Sequence, residues 1–148
     1  MEQPATPCFV YDRSKHVLYL WNEIEIGKRV SRHALVTQWE HHCTVYDPSG
    51  AAWNFRFERA GKAYSWLDRV LAEIYNPIKE VSVVWARLES YEIAELRNAY
   101  LDALAHDDDI LTQFVEAEEL QSRIERCESF EDVIATWQWM QTTAASEE

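Results

Sequence analysis

Four consecutive side chains that can bind a metal, Glu40, His41, His42 and Cys43, follow Trp39. A structural zinc site needs four such ligands and a catalytic one needs three. On a β-strand, alternate side chains point to opposite faces, so His41 and Cys43 would share one face and Glu40 and His42 the other. Each pair then supplies two ligands at most. We therefore interpret this segment as an ordinary strand with a hydrogen-bonded core histidine, and we expect no metal there.

Asp102 and His106 are four residues apart, which places them on one face of a predicted helix. Such a pair can hold a metal or act as an acid–base couple. The sequence supplies no third ligand beside them, so a surface hydrogen bond is the simpler interpretation. Asp107, Asp108 and Asp109 follow directly, without the alternate spacing, central glycine and final glutamate of a calcium-binding loop. We expect one of these three to cap the next helix.

The sequence has no HExxH, GxSxG or glycine-rich phosphate-binding motif, and it contains only three glycines. Its cysteines, Cys8, Cys43 and Cys127, are odd in number and far apart, which argues against a disulfide framework. Each is expected to be a small buried side chain. We predict that the protein is not an enzyme and uses no cofactor. The alternative is a small metal-dependent or His/Cys-based enzyme built on His41, His42 and Cys43.

Alternating apolar and polar residues in the N-terminal half predict antiparallel strands. Residues 47–50, Asp-Pro-Ser-Gly, have the preferences of a type I turn and predict a hairpin. On its second strand Trp53, Phe55 and Phe57 share one face. The predicted elements are strands mainly at 8–58 and 80–88, and helices at about 62–75, 90–105, 110–126 and 130–141.

The helical period begins after residue 61, where Leu67, Val70, Leu71 and Ile74 form an apolar stripe that we expect to be buried. Later helices have serines as predicted N-caps. The last of them opens with a capping box, in which an acid follows the serine by three residues. These caps are Ser90, and Ser129 with Asp132.

The order of these elements predicts an α+β fold, in which an antiparallel sheet from the N-terminal half packs against helices and is followed by a helical C-terminal segment. The 148 residues are expected to form a single domain, 1–148. The sequence has no apolar run that could span a bilayer and no secretory signal pattern at its start. We therefore expect a cytoplasmic protein that binds no membrane.

The net charge of −12 is unevenly distributed. Residues 1–80 carry ten acidic and ten basic side chains, whereas residues 81–148 carry sixteen acidic and four basic ones. This imbalance argues against direct binding of nucleic acid by the C-terminal part. It favours either a solvated face or a docking surface for a basic partner. The acidic residues lie along two helix faces, one with Glu92, Glu95 and Asp102, the other with Glu118, Glu125 and Glu128.

The seven tryptophans also bear on the choice between a solvated face and a docking surface. Trp137 and Trp139 are two residues apart on a predicted helix, so they cannot both face inward; Trp139 either covers a neighbouring helix or is an exposed interface anchor. We predict a small acidic protein-binding module that inhibits a basic partner, most concretely an immunity or antitoxin-type inhibitor of a nuclease toxin. A structural subunit of a larger complex is a further alternative. The predicted partner-binding residues are Glu92, Glu95, Asp102, Asp107, Asp108, Asp109, Glu118, Glu125 and Trp139.

Overall fold

The computed structural model describes residues 2–24, 29–31, 39–57, 66–75, 78–80, 82–108, 110–113 and 115–146. Strands occupy the N-terminal half and helices the C-terminal part, so the predicted α+β class is confirmed. The elements in chain order are β1 (Cys8–Asp12), β2 (Val17–Trp21), β3 (Arg29–Ser31), a 3-10 helix (Trp39–His42), β4 (Cys43–Tyr46), β5 (Ala51–Phe57), α1 (Trp66–Ile74), β6 (Ile78–Glu80), β7 (Val83–Ser90), α2 (Ile93–Ala105), α3 (Ala117–Glu125) and α4 (Phe130–Ser146).

Five strands form an antiparallel sheet in the order β2-β1-β4-β5-β7, and β3 pairs with β6 in a separate two-stranded sheet. The β1–β2 hairpin runs in register from Cys8 opposite Trp21 to Asp12 opposite Val17. Between β4 and β5, the N–H of Gly50 donates to the carbonyl of Asp47 at 3.3 Å, which closes the predicted turn. The φ of +90° at Gly50 lies in the region that favours glycine.

Because strand side chains alternate, the sheet has two buried faces. Phe9 on β1 faces the helices, and its ring contacts those of Phe130 and Trp137 with both centroid separations at 5.6 Å. Val10, the next residue, belongs to the opposite face, which carries an aromatic cluster. That cluster includes the predicted row Trp53, Phe55 and Phe57 on β5, together with Trp21, Trp39 and Trp85.

Helices α2, α3 and α4 cover the first face with residues at helical spacing. They bury Leu96, Ala99, Tyr100 and Ala103 from α2, Leu120 and Ile124 from α3, and Phe130, Val133, Trp137 and Met140 from α4. The predicted cap at Ser129 is confirmed, since its Oγ accepts the N–H of Asp132 at 3.1 Å, but the reciprocal bond of a capping box goes to the residue before the serine. The Asp132 carboxylate in turn accepts the N–H of Glu128 at 2.9 Å.

Two other predicted helix starts are wrong. Ser90 ends strand β7, and α2 begins at Ile93 with Glu92 in the N-cap position. The helix predicted from residue 110 begins only at Ala117. Asp107 does not cap it; its carboxylate accepts backbone N–H groups within the preceding turn. These donors are Ile110, Leu111 and Thr112, at 3.2, 2.9 and 3.3 Å.

Helix α1 forms within the predicted range 62–75, of which 62–65 lie outside the described residues. Its expected buried stripe is instead exposed, with Ile74 at 79% and Leu67 at 51%. Ala72 is the buried residue among those described in α1. The apolar period thus indicated the helix correctly but not its burial. No described helix is both long and apolar enough to cross a membrane.

Candidate functional site

The segment Trp39–His42 is a 3-10 helix, so its interpretation as a strand is wrong. Two tertiary contacts hold it in this form. The indole N–H of Trp39 donates to the Asp12 carboxylate at 2.8 Å. The Glu40 carboxylate is buried and accepts the backbone N–H of Phe57 at 3.5 Å. The alternation of a strand therefore does not apply to these residues.

The side chains of this segment point in directions that the sequence did not predict. His41 has 51% of its side chain exposed, so it is not the expected core histidine. His42 is also exposed, whereas Cys43, the first residue of β4, is buried. Among the described residues, the group of side chains able to hold a metal consists of His16, Asp102 and His106 instead.

His16, Asp102 and His106 each offer one ligand atom, and these atoms all lie within 4.8 Å of one another. Asp102 and His106 share one face of α2, as predicted. The expectation that nothing supplies a third ligand is wrong, because His16 Nδ1 lies 2.8 Å from Asp102 Oδ2. The two residues are 86 positions apart in the sequence, so only the packing of the β1–β2 hairpin against α2 brings them together.

Asp102 is the centre of this His16–Asp102–His106 cluster. His106 Nδ1 lies 3.4 Å from Asp102 Oδ1 and 2.9 Å from the Asp102 backbone carbonyl. The Tyr11 hydroxyl donates to Asp102 Oδ2. The two imidazole rings stack, with centroids 3.8 Å apart and planes 9° apart. One carboxylate therefore contacts a phenol and an imidazole from the β1–β2 hairpin and an imidazole from the C-terminal end of α2.

The cluster lies beside a cavity of about 580 Å³. His16 and His106 line it, together with apolar side chains that include Leu18 and Met140. Trp137 also lines it, and its buried indole Nε1 has no hydrogen-bond partner among the described residues. The predicted site residues Asp107 and Asp108 lie along the same wall, whereas Asp109 lies outside the described residues.

The carboxylates predicted to bind a partner fall into two groups. Glu92, Glu95, Glu118 and Glu125 are exposed on α2 and α3 or at their start. Asp102 differs from them, because it is half-buried and bound to Tyr11, His16 and His106. It is therefore not a free surface charge.

The first turns of α2 and α4 bring carboxylates near one pair of tyrosines. The rings of Tyr46 and Tyr91 contact there, with centroids 5.0 Å apart. Burial raises the pKa of Tyr46, and the Glu95 carboxylate raises it further. Burial also raises the pKa of Tyr91, with added contributions from Asp47 and then Glu131. Glu131 was not among the predicted partner-binding residues, although the acid-rich start of the last helix was a signal for it.

The chain matches no protein-family model, no curated protein sequence and no solved structure. Its function must therefore be inferred from its own residues.

The arginines of the C-terminal part mostly contact groups other than carboxylates. Arg97 donates to the carbonyl of Cys127 at 2.9 Å, and Arg126 to that of Ser122 at 3.2 Å. Arg87 lies over the ring of Trp53. Within the described residues between 82 and 146, the only ion pair between an arginine and a carboxylate joins Arg123 to Glu119 at 3.3 Å.

Trp139 is half-buried, and the guanidinium of Arg123 lies over its ring at 4.0 Å from the centroid. It packs against the main core, and Trp137 lies within that core. The tryptophan with large exposure is Trp66 on α1, at 75%. The two-residue spacing of Trp137 and Trp139 carries no information about the exposure of Trp66, because Trp66 lies on another helix.

All three cysteines are free and buried, as expected. Burial raises the pKa of Cys8 to about 12, with a further contribution from Asp47. Burial likewise raises the pKa of Cys43 and of Cys127. Because the thiolate is the nucleophilic form, these environments oppose nucleophilic catalysis by any of the three.

Proposed function

We propose that this protein is an acidic binding module that neutralises a basic protein partner, most concretely as an immunity or antitoxin-type inhibitor of a nuclease toxin. The binding surface, called here the acidic helical surface, consists of exposed carboxylates at α2, α3 and the start of α4. Its residues are Glu92, Glu95, Glu118, Glu125 and Glu131.

The observation that carries the proposal is that, within the part of the chain that the structure describes, these carboxylates form no ion pair with an arginine or lysine. Arg97 and Arg126 donate to backbone carbonyls, and Arg87 lies over a tryptophan ring. Arg123 lies over Trp139 and pairs with Glu119, which is outside this surface. The described residues between 82 and 146 therefore project a negative field with one arginine–carboxylate pair, Arg123–Glu119, to reduce it. Such a field accelerates encounter with a cationic partner by about 10- to 1,000-fold, and salt screens it over about 10 Å at 0.1 M.

The convergence of two helices supports a surface with a defined position. Glu95 raises the pKa of Tyr46 and Glu131 raises that of Tyr91, and the two rings contact, so the first turns of α2 and α4 both lie near this tyrosine pair. A nuclease holds its phosphate substrate in a cationic cleft. Carboxylates held on packed helices can occupy such a cleft in place of the phosphates.

The test is a pull-down of the tagged protein from the lysate of its native cell, at low and at high salt, with bound proteins identified by mass. We expect a basic protein that is retained at low salt and weakened at high salt. The test variant is Glu92→Lys/Glu95→Lys/Glu131→Lys. We expect it to associate with the captured protein about 10-fold more slowly or worse at low salt, with a flatter dependence on salt.

The matched control is Glu2→Lys/Glu23→Lys/Glu73→Lys, which changes the net charge equally at exposed positions outside the acidic helical surface. Equal loss of binding in both variants would show that total charge, not this surface, drives association. The inhibitor form of the proposal requires the captured protein to degrade nucleic acid and to lose that activity on addition of the chain. A captured protein without such activity would contradict the nuclease assignment and leave only general binding.

A further inference from the structure

We propose that His16, Asp102 and His106 form a binding site for a divalent first-row transition metal, with zinc as the ion to test first. Two imidazole nitrogens and one carboxylate oxygen are ligands that zinc, iron and cobalt accept readily, whereas calcium and magnesium prefer oxygen alone. The inference is independent of the proposed function, because the carboxylates of the acidic helical surface do not take part in this cluster.

The distances are close to those that coordination requires. Zinc bonds of about 2.0–2.2 Å in tetrahedral geometry place neighbouring ligand atoms about 3.3 Å apart. His16 Nδ1 lies 2.8 Å from Asp102 Oδ2, and His106 Nδ1 lies 3.4 Å from Asp102 Oδ1. Both distances lie within roughly half an ångström of that spacing, but they run to different oxygens of Asp102, so the side chains must adjust for one oxygen and both nitrogens to meet at a single ion.

The stacked imidazoles must turn for both ring nitrogens to point at one ion. Their side chains are 39% and 49% exposed, for His16 and His106 respectively, so each ring has room to rotate toward solvent. The φ of His16 is +56°, in the left-handed region in which histidine is enriched among residues other than glycine.

Tyr11 is a positioning residue for the site. Its hydroxyl donates to Asp102 Oδ2, so the carboxylate is held toward the histidines by a second hydrogen-bonding group. Outer partners of this kind orient metal ligands, and their loss typically costs 10- to 100-fold in metal affinity.

Three protein ligands leave at least one coordination position open, as in catalytic rather than structural zinc sites. The cavity of about 580 Å³ adjoins both histidines, so it gives room for water or a small ligand at that position. The same cavity is lined by Trp137, whose buried indole N–H has no acceptor among the described residues.

The experiment is isothermal titration of the full chain with zinc chloride, together with cobalt(II) absorption spectra. We expect one ion per chain, and visible cobalt bands typical of a low-symmetry nitrogen–oxygen site. His16→Asn preserves a residue that tolerates positive φ but removes the imidazole; His106→Ala removes the other ring. Each should weaken zinc binding by at least 10-fold while the circular dichroism spectrum stays unchanged.

His41→Ala/His42→Ala is the matched control, since both side chains are exposed and lie outside the cluster. It should bind zinc as the parent does. Tyr11→Phe should weaken binding by roughly 10-fold without changing the stoichiometry. Failure of the parent to bind one ion would overturn the proposal. So would full affinity in His16→Asn, or an equal loss in the His41/His42 control, which would indicate adsorption to surface histidines.

Discussion

Asp12 and Asp47 occupy equivalent positions in the two hairpins of the sheet. Each aspartate is buried and begins a turn in which Oδ1 accepts both the backbone N–H and the hydroxyl of the serine two residues later. The other oxygen of each accepts an indole N–H at 2.8 Å. The serines are Ser14 and Ser49, and the tryptophans are Trp39 and Trp53. Each carboxylate thus ties a turn to the aromatic face of the sheet.

The first prediction concerns the stability that these carboxylates provide. Asp47→Ala should lower the free energy of unfolding by about 2–3 kcal/mol, because several donors to a charged acceptor lose their partner in the interior. Asp12→Ala should have an effect of similar size. Urea unfolding followed by tryptophan fluorescence measures both. Asp108→Ala, at an exposed position, is the control and should change stability by less than about 0.5 kcal/mol.

The second prediction is that the stability of the protein falls at acid pH because of the Asp47 carboxylate in the same turn. Burial by itself raises the pKa of Asp47, but hydrogen bonds from Ser49, Trp53, Ala51 and Ala5 outweigh it and lower the pKa below its ordinary range. A lowered pKa in the folded state means that the stabilisation is fully present above the unfolded-state pKa of about 3.9. It is lost as the pH falls through the folded-state value.

The check is the free energy of unfolding measured between pH 7 and pH 2 for the parent and for Asp47→Asn. The parent should lose stability below about pH 4 by more than the variant does, because the variant has no proton to take up at this position. Parallel curves for the two proteins would show that Asp47 does not carry this acid sensitivity.

The sequence predicted the turn at residues 47–50 because its residue preferences are local. Alternation likewise placed Trp53, Phe55 and Phe57 on one face. The strand prediction for Trp39–His42 was wrong because the conformation of this segment depends on residues that are distant in the sequence. Trp39 binds Asp12, and Glu40 binds Phe57. No pattern within the segment records those contacts.

The His16–Asp102–His106 cluster shows the same limit at a candidate site. Helical spacing predicted that Asp102 and His106 would be neighbours, since that relation is local. His16 lies 86 positions from Asp102, and its approach depends on how the β1–β2 hairpin packs against α2. Sequence spacing could therefore supply two of the three ligands, and only the fold supplies the third.

The thiols give a prediction on reactivity. Cys8, Cys43 and Cys127 are each at most 2% exposed, and burial raises all three pKa values. Native protein at pH 8 should therefore react with a disulfide reagent at least about 100-fold more slowly than a free thiol, and three thiols should react after unfolding in urea. One fast-reacting thiol in the native protein would show that its site opens, and single Cys→Ser variants would identify it.

The exposed stripe of α1 gives the last prediction. Ile74→Ser and Leu67→Ser should change the free energy of unfolding by less than about 0.5 kcal/mol, because these side chains remain largely in water in the folded chain. Ala72→Leu is the contrasting variant, because it changes a buried position of the same helix. Ala72 is 1% exposed, so added volume there should destabilise the protein by about 1–3 kcal/mol.

Urea unfolding measures all three α1 variants, and sedimentation velocity measures the oligomeric state of the parent. A cost near 2 kcal/mol for Ile74→Ser would mean that this face is buried in solution, since full burial of such a side chain contributes about 1.5–3 kcal/mol. If the parent also sedimented as a dimer that Ile74→Ser dissociates, the covering surface would be a second copy of the chain. A monomeric parent with the same cost would place the covering contact within the chain itself.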